Sequence, residues 1–251
     1  MKRTLLLDGD EFVHVSSAAV EYEAHWDDQN IILASNIEEA WDAFNGRLQG
    51  VLDAIEGEKT LRFAFTGSEN FRRTLYSAYK AKRGGRKPLC FSALKQRIHE
   101  NFDCHTEKTL EADDLMGIWA TSGDFENPVI VSQDKDMLTI PTTLWREGSL
   151  VVTGKGDADY YWMKQTLTGD TSDGYPGCPG YGPVSAEKLL DNFTALDGGF
   201  VLDEAWKAVV QQYIKKGLTE DDALGQARLA RILRATDWDA EKREVKLWTP
   251  N

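Results

Sequence analysis

Apolar residues follow two rhythms along this chain. Thr4–Leu7, Leu61–Phe65 and Pro128–Ser132 are short apolar runs flanked by polar residues, as expected of buried strands. Ile37, Ala40, Trp41, Phe44, Leu48, Val51, Leu52 and Ile55 recur at three- and four-residue steps, which predicts an amphipathic helix over Glu38–Ile55. Similar spacing predicts helices over Ser92–Asn101, Ala112–Ala120, Asp159–Leu167, Val184–Asn192, Asp203–Lys216 and Asp221–Ala235. Strands alternating with helices imply an α/β core with a largely parallel sheet. Beyond about Thr153 the strand signals stop, apart from a short one at Val245–Trp248. We therefore expect a core over residues 1–153 and a mostly helical region over 154–251. Gly174–Pro183, rich in Gly and Pro, reads as a turn between two helices.

Composition narrows the class. With 251 residues and 41 % hydrophobic content, the chain can bury a sizeable core. The apolar run after Met1-Lys2-Arg3-Thr4 ends at Asp8, too short for a signal peptide, and no stretch approaches a membrane span. Cys90, Cys104 and Cys178 are odd in number and lack metal-ligand spacing, which fits free thiols in a reducing cytoplasm. The four histidines show no zinc spacing either.

A net charge of −12 argues against a polyanionic partner, but its distribution reverses the argument. Between Asn70 and His99 there is no Asp or Glu, while Arg72, Arg73, Lys80, Lys82, Arg83, Arg86, Lys87, Lys95 and Arg97 all fall there. If Phe71–Arg83 were one helix, Arg72, Tyr76, Tyr79, Lys80 and Arg83 would share a face, with cations for phosphates and rings for bases. A solvated basic face is the plainer alternative.

The acids lie where chemistry gathers in open α/β sheets, at the carboxyl ends of strands. Asp8 ends the first apolar run, and Asp134 and Asp136 follow the Val129-Ile130-Val131-Ser132 run. Glu111, Asp113 and Asp114 begin a helix, where capping alone accounts for one or two of them. Asp170 and Asp173 sit in a turn, where Asp is common in any case. Four such clusters would repel one another unless cations neutralised them, and oxygen-only donors suit Mg²⁺ or Mn²⁺. Two such ions suit phosphoryl chemistry.

These residues resemble, in order, the motifs of the 5′-nuclease (flap endonuclease) family, from Leu5 to about Trp248. Leu5-Leu6-Leu7-Asp8-Gly9 is similar to its first strand and metal aspartate. Phe71-Arg72 and Tyr79-Lys80-Ala81-Lys82-Arg83 are similar to its arch. Glu111–Asp114, Ser132–Asp136 and Gly169–Asp173 are similar to its later acidic motifs, and Pro176–Lys188 to its helix–turn–helix clamp. Asp8-Gly9-Asp10, Phe65-Thr66 and the ending up to Pro250 look most like the exonucleases of T-seven-like short-tailed phages.

The resemblance implies a PIN-like core, a basic arch over about 69–87 and a C-terminal clamp whose turn spans 174–183. It implies a phage protein in the host cytoplasm, a 5′→3′ exonuclease with flap endonuclease and RNA-primer removal activity in replication or recombination. It further implies Asp8, Glu111, Asp113, Asp134 and Asp136 around two Mg²⁺, which Mn²⁺ can replace, with Asp114, Asp170 and Asp173 completing the set or holding a second, looser site. Lys80 and Arg83 would act on the scissile phosphate. His14, Arg72, Arg73, Tyr79, Lys82, Arg86 and Lys87 would meet DNA, as would the turn glycines Gly177, Gly180 and Gly182, with K⁺ at that turn. The implied partners are DNA 5′ ends, nicks and flaps and RNA–DNA hybrid, for a monomer away from membranes.

The chain departs from the family in three places. Gly67 stands where an Asp is usual after the second core strand, with Glu69 two residues on. His14 and Val15 replace an aromatic–Arg pair. Asp10 is additional, either a surface acid or a support to the site. Two other readings compete. A non-catalytic DNA-binding member of the same fold would follow if Gly67 abolished the ion site. Asp8-Gly9-Asp10 also resembles the aspartate pair of haloacid-dehalogenase-type phosphatases, though Phe12 stands where their Thr is expected.

Overall fold

The computed structural model describes residues 1–27, 29–82, 84–195 and 199–250. β1 (Lys2–Asp8) runs directly into α1 (Gly9–Ala18), and a hairpin of β2 (Tyr22–His25) and β3 (Ile31–Ala34) leads to α2 (Ile37–Ala54). Then come β4 (Glu58–Phe65), a short α3 (Phe71–Leu75), α4 (Phe91–Asn101), β5 (Cys104–Thr106) and α5 (Ala112–Ser122). β6 (Pro128–Val131), β7 (Thr143–Arg146) and β8 (Ser149–Val152) complete the main sheet. The remainder is helical, α6 (Lys155–Thr168), α7 (Pro183–Leu190), α8 (Leu202–Lys215) and α9 (Glu220–Ala230), closed by a ribbon of β9 (Trp238–Asp239) and β10 (Glu244–Val245).

The sheet order is β5-β4-β1-β6-β7-β8, parallel throughout except for the β7–β8 pair. Side chains alternate across it, as the two-residue period of a strand requires. Leu5 and Leu7 join Phe12, Phe44 and Phe63 beneath α1, α2 and α4, while Leu6 joins Met116 and Ile130 beneath α5. A third cluster, around Trp162, Trp206 and Tyr213, knits α6, α8 and α9 together. No helix among the described residues is long and apolar enough to cross a membrane.

The structure departs from the sequence expectations at identifiable places. α1 carries a weak apolar signal, yet Phe12, Val13, Ser16 and Ser17 bury a full face, and the Asp8 side chain caps it by accepting the Glu11 N–H at 3.0 Å. The β2–β3 hairpin leaves Tyr22, Trp26, Ile31 and Ile32 exposed, so apolar content alone did not mark a buried element. The shared face that one helix over Phe71–Arg83 would have made does not form, since α3 stops at Leu75, where Tyr76 turns extended (φ −148°). α9 ends at Ala230 rather than Ala235, because polar side chains from the core hold the following residues extended. The expected last strand is reduced to Glu244–Val245.

Candidate active site

Parallel strands deliver the acids to one edge of the sheet. Asp8 stands at the end of β1. Asp134 and Asp136 follow β6, where the Asp134 side chain accepts the Asp136 N–H at 2.8 Å and starts a single 3₁₀ turn. α5 begins beside them with Glu111 as its N-cap residue, and Asp173 arrives from the turn after α6. Asp113, Asp134, Asp136 and Asp173 line one small hollow with Glu111 and Lys80.

The electrostatics of this hollow are those of an under-neutralised carboxylate cluster. Burial pushes the Asp8 carboxyl up to about 7, with Glu11 and Asp10 adding to it against the bond from the Glu11 N–H. Burial likewise raises Asp136 to about 7, assisted by Asp134. Asp113 is driven well above the usual carboxylate range by burial and then by Asp8. Glu111 is the exception. Burial would raise it, but the charges of Arg72 and Lys80 hold it at about 2.

Lys80 is the cation of the cluster. Its Nζ lies 2.5 Å from Glu111 and 3.6 Å from Asp173. Glu111, Asp113 and Asp173 keep the ammonium above its ordinary range although burial opposes this. The backbone at Lys80 takes φ 52°, uncommon for a residue other than glycine, and its N–H donates to the Asp173 carbonyl at 2.7 Å. Among the described residues, no group of three acids stands close enough together to hold an ion in this arrangement. The donor chemistry nevertheless fits a hard divalent ion. The acids offer oxygen alone, and burial and mutual repulsion oppose the ionisation of three of them.

Several expected site residues have other work. Arg72, expected on DNA, is 2 % exposed. Its guanidinium grips Asp114 at 2.7 and 2.8 Å and Glu111 at 3.1 Å, and donates to the carbonyls of Leu229 and Arg231. Asp114, expected among the ion ligands, is 0 % exposed and is saturated by Arg72 and by the N–H groups of Glu111 and Leu233. Tyr79, expected to stack on a base, is buried and donates its hydroxyl to Glu111 and Asp173. The basic segment has no acids in sequence, but folding brings them from elsewhere. Arg86 pairs with Glu21 at 2.7 Å. Asp170 serves its own turn, accepting from Ser172 and Asp173, and those bonds hold it low although burial opposes this. Arg83 lies outside the described residues.

Other expected contacts are differently placed. His14, Arg73 and Lys87 line an open crevice of about 540 Å³ that reaches Lys80 and Glu111. Lys82 is exposed nearby in the chain. In the turn between α6 and α7, Gly177 and Gly180 take φ of 67° and 81°, and a Cβ at Gly177 would meet the Gly169 nitrogen at 2.3 Å. Gly182 is extended and precedes α7.

At Gly67, a Cβ would fall 2.0 Å from the Glu107 carbonyl and 2.4 Å from that of Lys108, so the backbone packing itself requires glycine. Glu69 turns away to Lys108 at 2.7 Å. Asp10 is a supporting acid, accepting the Thr66 N–H at 2.7 Å and lying 3.4 Å from Lys95. Phe12, standing where the phosphatase motif has Thr, is buried in the core and offers no hydroxyl beside Asp8. Sequence reasoning missed Glu11, which takes the Gln133 N–H at 2.7 Å and pairs with Arg47, and Gln165, whose amide donates to Asp136 at 2.7 Å.

Residues 3–153 match the family described as 5′-3′ exonuclease, N-terminal resolvase-like domain. The chain is 30 % identical to the exodeoxyribonuclease of Enterobacteria phage T3, over 99 % of this chain and 93 % of that protein. It is also 30 % identical to the exonuclease of Escherichia phage T7, over 99 % of this chain and 94 % of the relative. Its fold is similar to that of T5 5′-exonuclease with zinc bound, at a TM-score of 0.57 and 13 % identity over 92 % of this chain and 89 % of that one. A bacteriophage T5 flap endonuclease in complex with DNA and metal ions gives 0.59, at 11 % identity over 94 % and 90 %. These likenesses establish the PIN-like α/β fold.

Proposed function

Because this chain belongs to the 5′-3′ exonuclease family, we propose that it hydrolyses phosphodiester bonds of DNA from 5′ ends with the help of two divalent cations. The observation that carries this reading is the convergence of Asp8, Glu111, Asp113, Asp134, Asp136 and Asp173 with Lys80 at one sheet edge. Mg²⁺, or Mn²⁺ in its place, would supply Lewis-acid charge at the scissile phosphate. Asp8, Asp113, Asp134 and Asp136 would hold the ions, and Glu111 and Asp173, which Lys80 now occupies, would join them. Lys80, kept charged by its acidic neighbours, would act on the scissile phosphate. Arg72 and Tyr79 act one step back, fixing the orientation of Glu111 and Asp173.

The crevice carrying His14, Arg73, Lys87 and Lys95 is the path for the 5′ strand. The Gly177–Gly182 turn offers its backbone to duplex phosphate and its carbonyls to K⁺. The exposed Lys216, whose side chain lies 3.4 Å from the position of a Cβ at Gly180, adds charge there. The rest of the −12 surface repels DNA, which confines binding to these places. In this reading residues 1–153 are the catalytic core and 154–251 the clamp of a monomer in the phage-infected cytoplasm, acting also on flaps and RNA primers.

The test uses 5′- and 3′-labelled duplexes, blunt, nicked, flapped or carrying RNA, with Mg²⁺ or EDTA. Release of the 5′ label in Mg²⁺ alone is expected. Cleavage that survives EDTA, or survives Asp134→Ala with Asp136→Ala, would refute the ion-dependent mechanism. DNA binding without any cleavage would favour the binding-module reading.

A further inference from the structure

A second crevice, of about 460 Å³, opens between α5, α6 and the C-terminal segment. That volume is in the range of small-ligand sites. It is lined by Lys155, Arg231, Arg234 and Lys246 against only two acids, Asp159 and Asp237. Asp237 is fully engaged, and Asp159 is ion-paired although its Oδ1 makes no hydrogen bond among the described residues. Asp159 meets Arg234 at 2.7 Å and Lys155 at 2.9 Å, while Asp237 takes the Arg231 Nε at 2.8 Å and the Arg234 N–H at 2.9 Å. In a chain of net charge −12, this is a local excess of positive charge.

Arg234 is the telling residue. It is 8 % exposed, lines the crevice, and its buried Nε has no acceptor among the described residues. Burial lowers its guanidinium from the ordinary value against the charge of Asp159, with Arg231 adding to the lowering, while its Nη2 donates to the Thr139 carbonyl at 2.8 Å; a further anion would offset the remaining cost. Leu202, Leu247 and Trp248 give the same crevice an apolar and aromatic wall. Lys155 and Lys246 stand exposed at its rim, the latter 3.4 Å from Asp239.

We propose that this crevice binds a nucleoside 5′-monophosphate, with its phosphate on Arg234 and the rim lysines and its base against Trp248. The choice of a mononucleotide rests on the exonuclease reading, which releases that class of product. The site lies one backbone segment from the catalytic acids, since the Arg231 carbonyl accepts a 2.7 Å bond from Arg72.

The experiment is isothermal titration of the full chain in EDTA, without DNA, using deoxyadenosine 5′-monophosphate, deoxyadenosine and inorganic phosphate. The nucleotide should bind one-to-one and at least tenfold more tightly than either fragment. Lys155→Glu with Lys246→Glu, both exposed positions, should weaken it at least tenfold while circular dichroism stays unchanged. Lys87→Glu with Lys95→Glu, in the other crevice, should leave it unaltered. Absence of nucleotide binding, phosphate binding as tightly as the nucleotide, or loss only in the Lys87/Lys95 variant would overturn the proposal. None of these readouts depends on hydrolysis, so a failure here is separable from a failure of the nuclease reading.

Discussion

Replacing Arg72 by Met separates the two roles that this arginine could have. The side chain is 2 % exposed and neutralises Asp114 (0 % exposed) and Glu111 (7 % exposed) at 2.7–3.1 Å. It also closes the carbonyls of Leu229 and Arg231. Met keeps most of the volume but leaves the buried Asp114 without its cation and Glu111 with Lys80 alone, and breaking a buried pair in this way costs about 3–5 kcal/mol. For a chain of this size each kcal/mol lowers Tm by roughly 2–4 °C, so a fall of about 10 °C is expected. Urea and thermal unfolding in EDTA at neutral pH measure it, with Asp114→Leu as the second arm of a double-mutant cycle. The double variant should recover much of the loss, because apolar groups of similar size tolerate that interior better than one unpaired charge. A loss below about 1 kcal/mol, together with weaker DNA binding and a salt slope smaller by about one, would refute the buried-strut assignment and restore Arg72 as a phosphate contact.

Three further outcomes follow from the site. Asp8 and Asp136 have folded values near 7 against an ordinary 3.8, so the folded state holds their protons more tightly than the unfolded chain. Their contribution to metal-free stability is therefore present below about pH 4 and lost as pH rises to about 7. Mg²⁺ should raise Tm more at pH 8 than at pH 5.5, and Asp136→Asn should flatten the dependence; an Mg²⁺ effect equal at both pH values would contradict this. Gly67→Asp should lower Tm without tightening Mg²⁺ binding by calorimetry, since its Cβ would meet the Glu107 carbonyl at 2.0 Å; tighter binding would show that the backbone yields. Lys80→Ala should slow cleavage of a 5′-labelled duplex far more than it weakens binding, and equal losses would reduce Lys80 to a binding residue.

Much of the architecture was legible along the chain because its signals are local. Apolar runs marked β1, β4 and β6, and helical spacing marked α2, α4 and α5 to within a few residues. The acids at the ends of those strands could be read as a cluster because a parallel sheet carries its strand ends to one edge. What the chain does not carry locally is the pairing of charges across sequence. Arg72 and Asp114 are 42 residues apart, and Tyr79 and Asp173 are 94 apart. A run of cations without neighbouring acids looked free for DNA, yet the fold buries its first arginine against the acids of α5. The same holds at Gly67. The sequence could show only that an expected carboxylate was missing, whereas the tertiary structure shows two carbonyls occupying the space that any side chain would need. Local patterning thus determined the elements and the inventory of acids. Long-range packing, which alone sets burial and charge partners, decided which of them line the hollow and which are tied up in buried pairs.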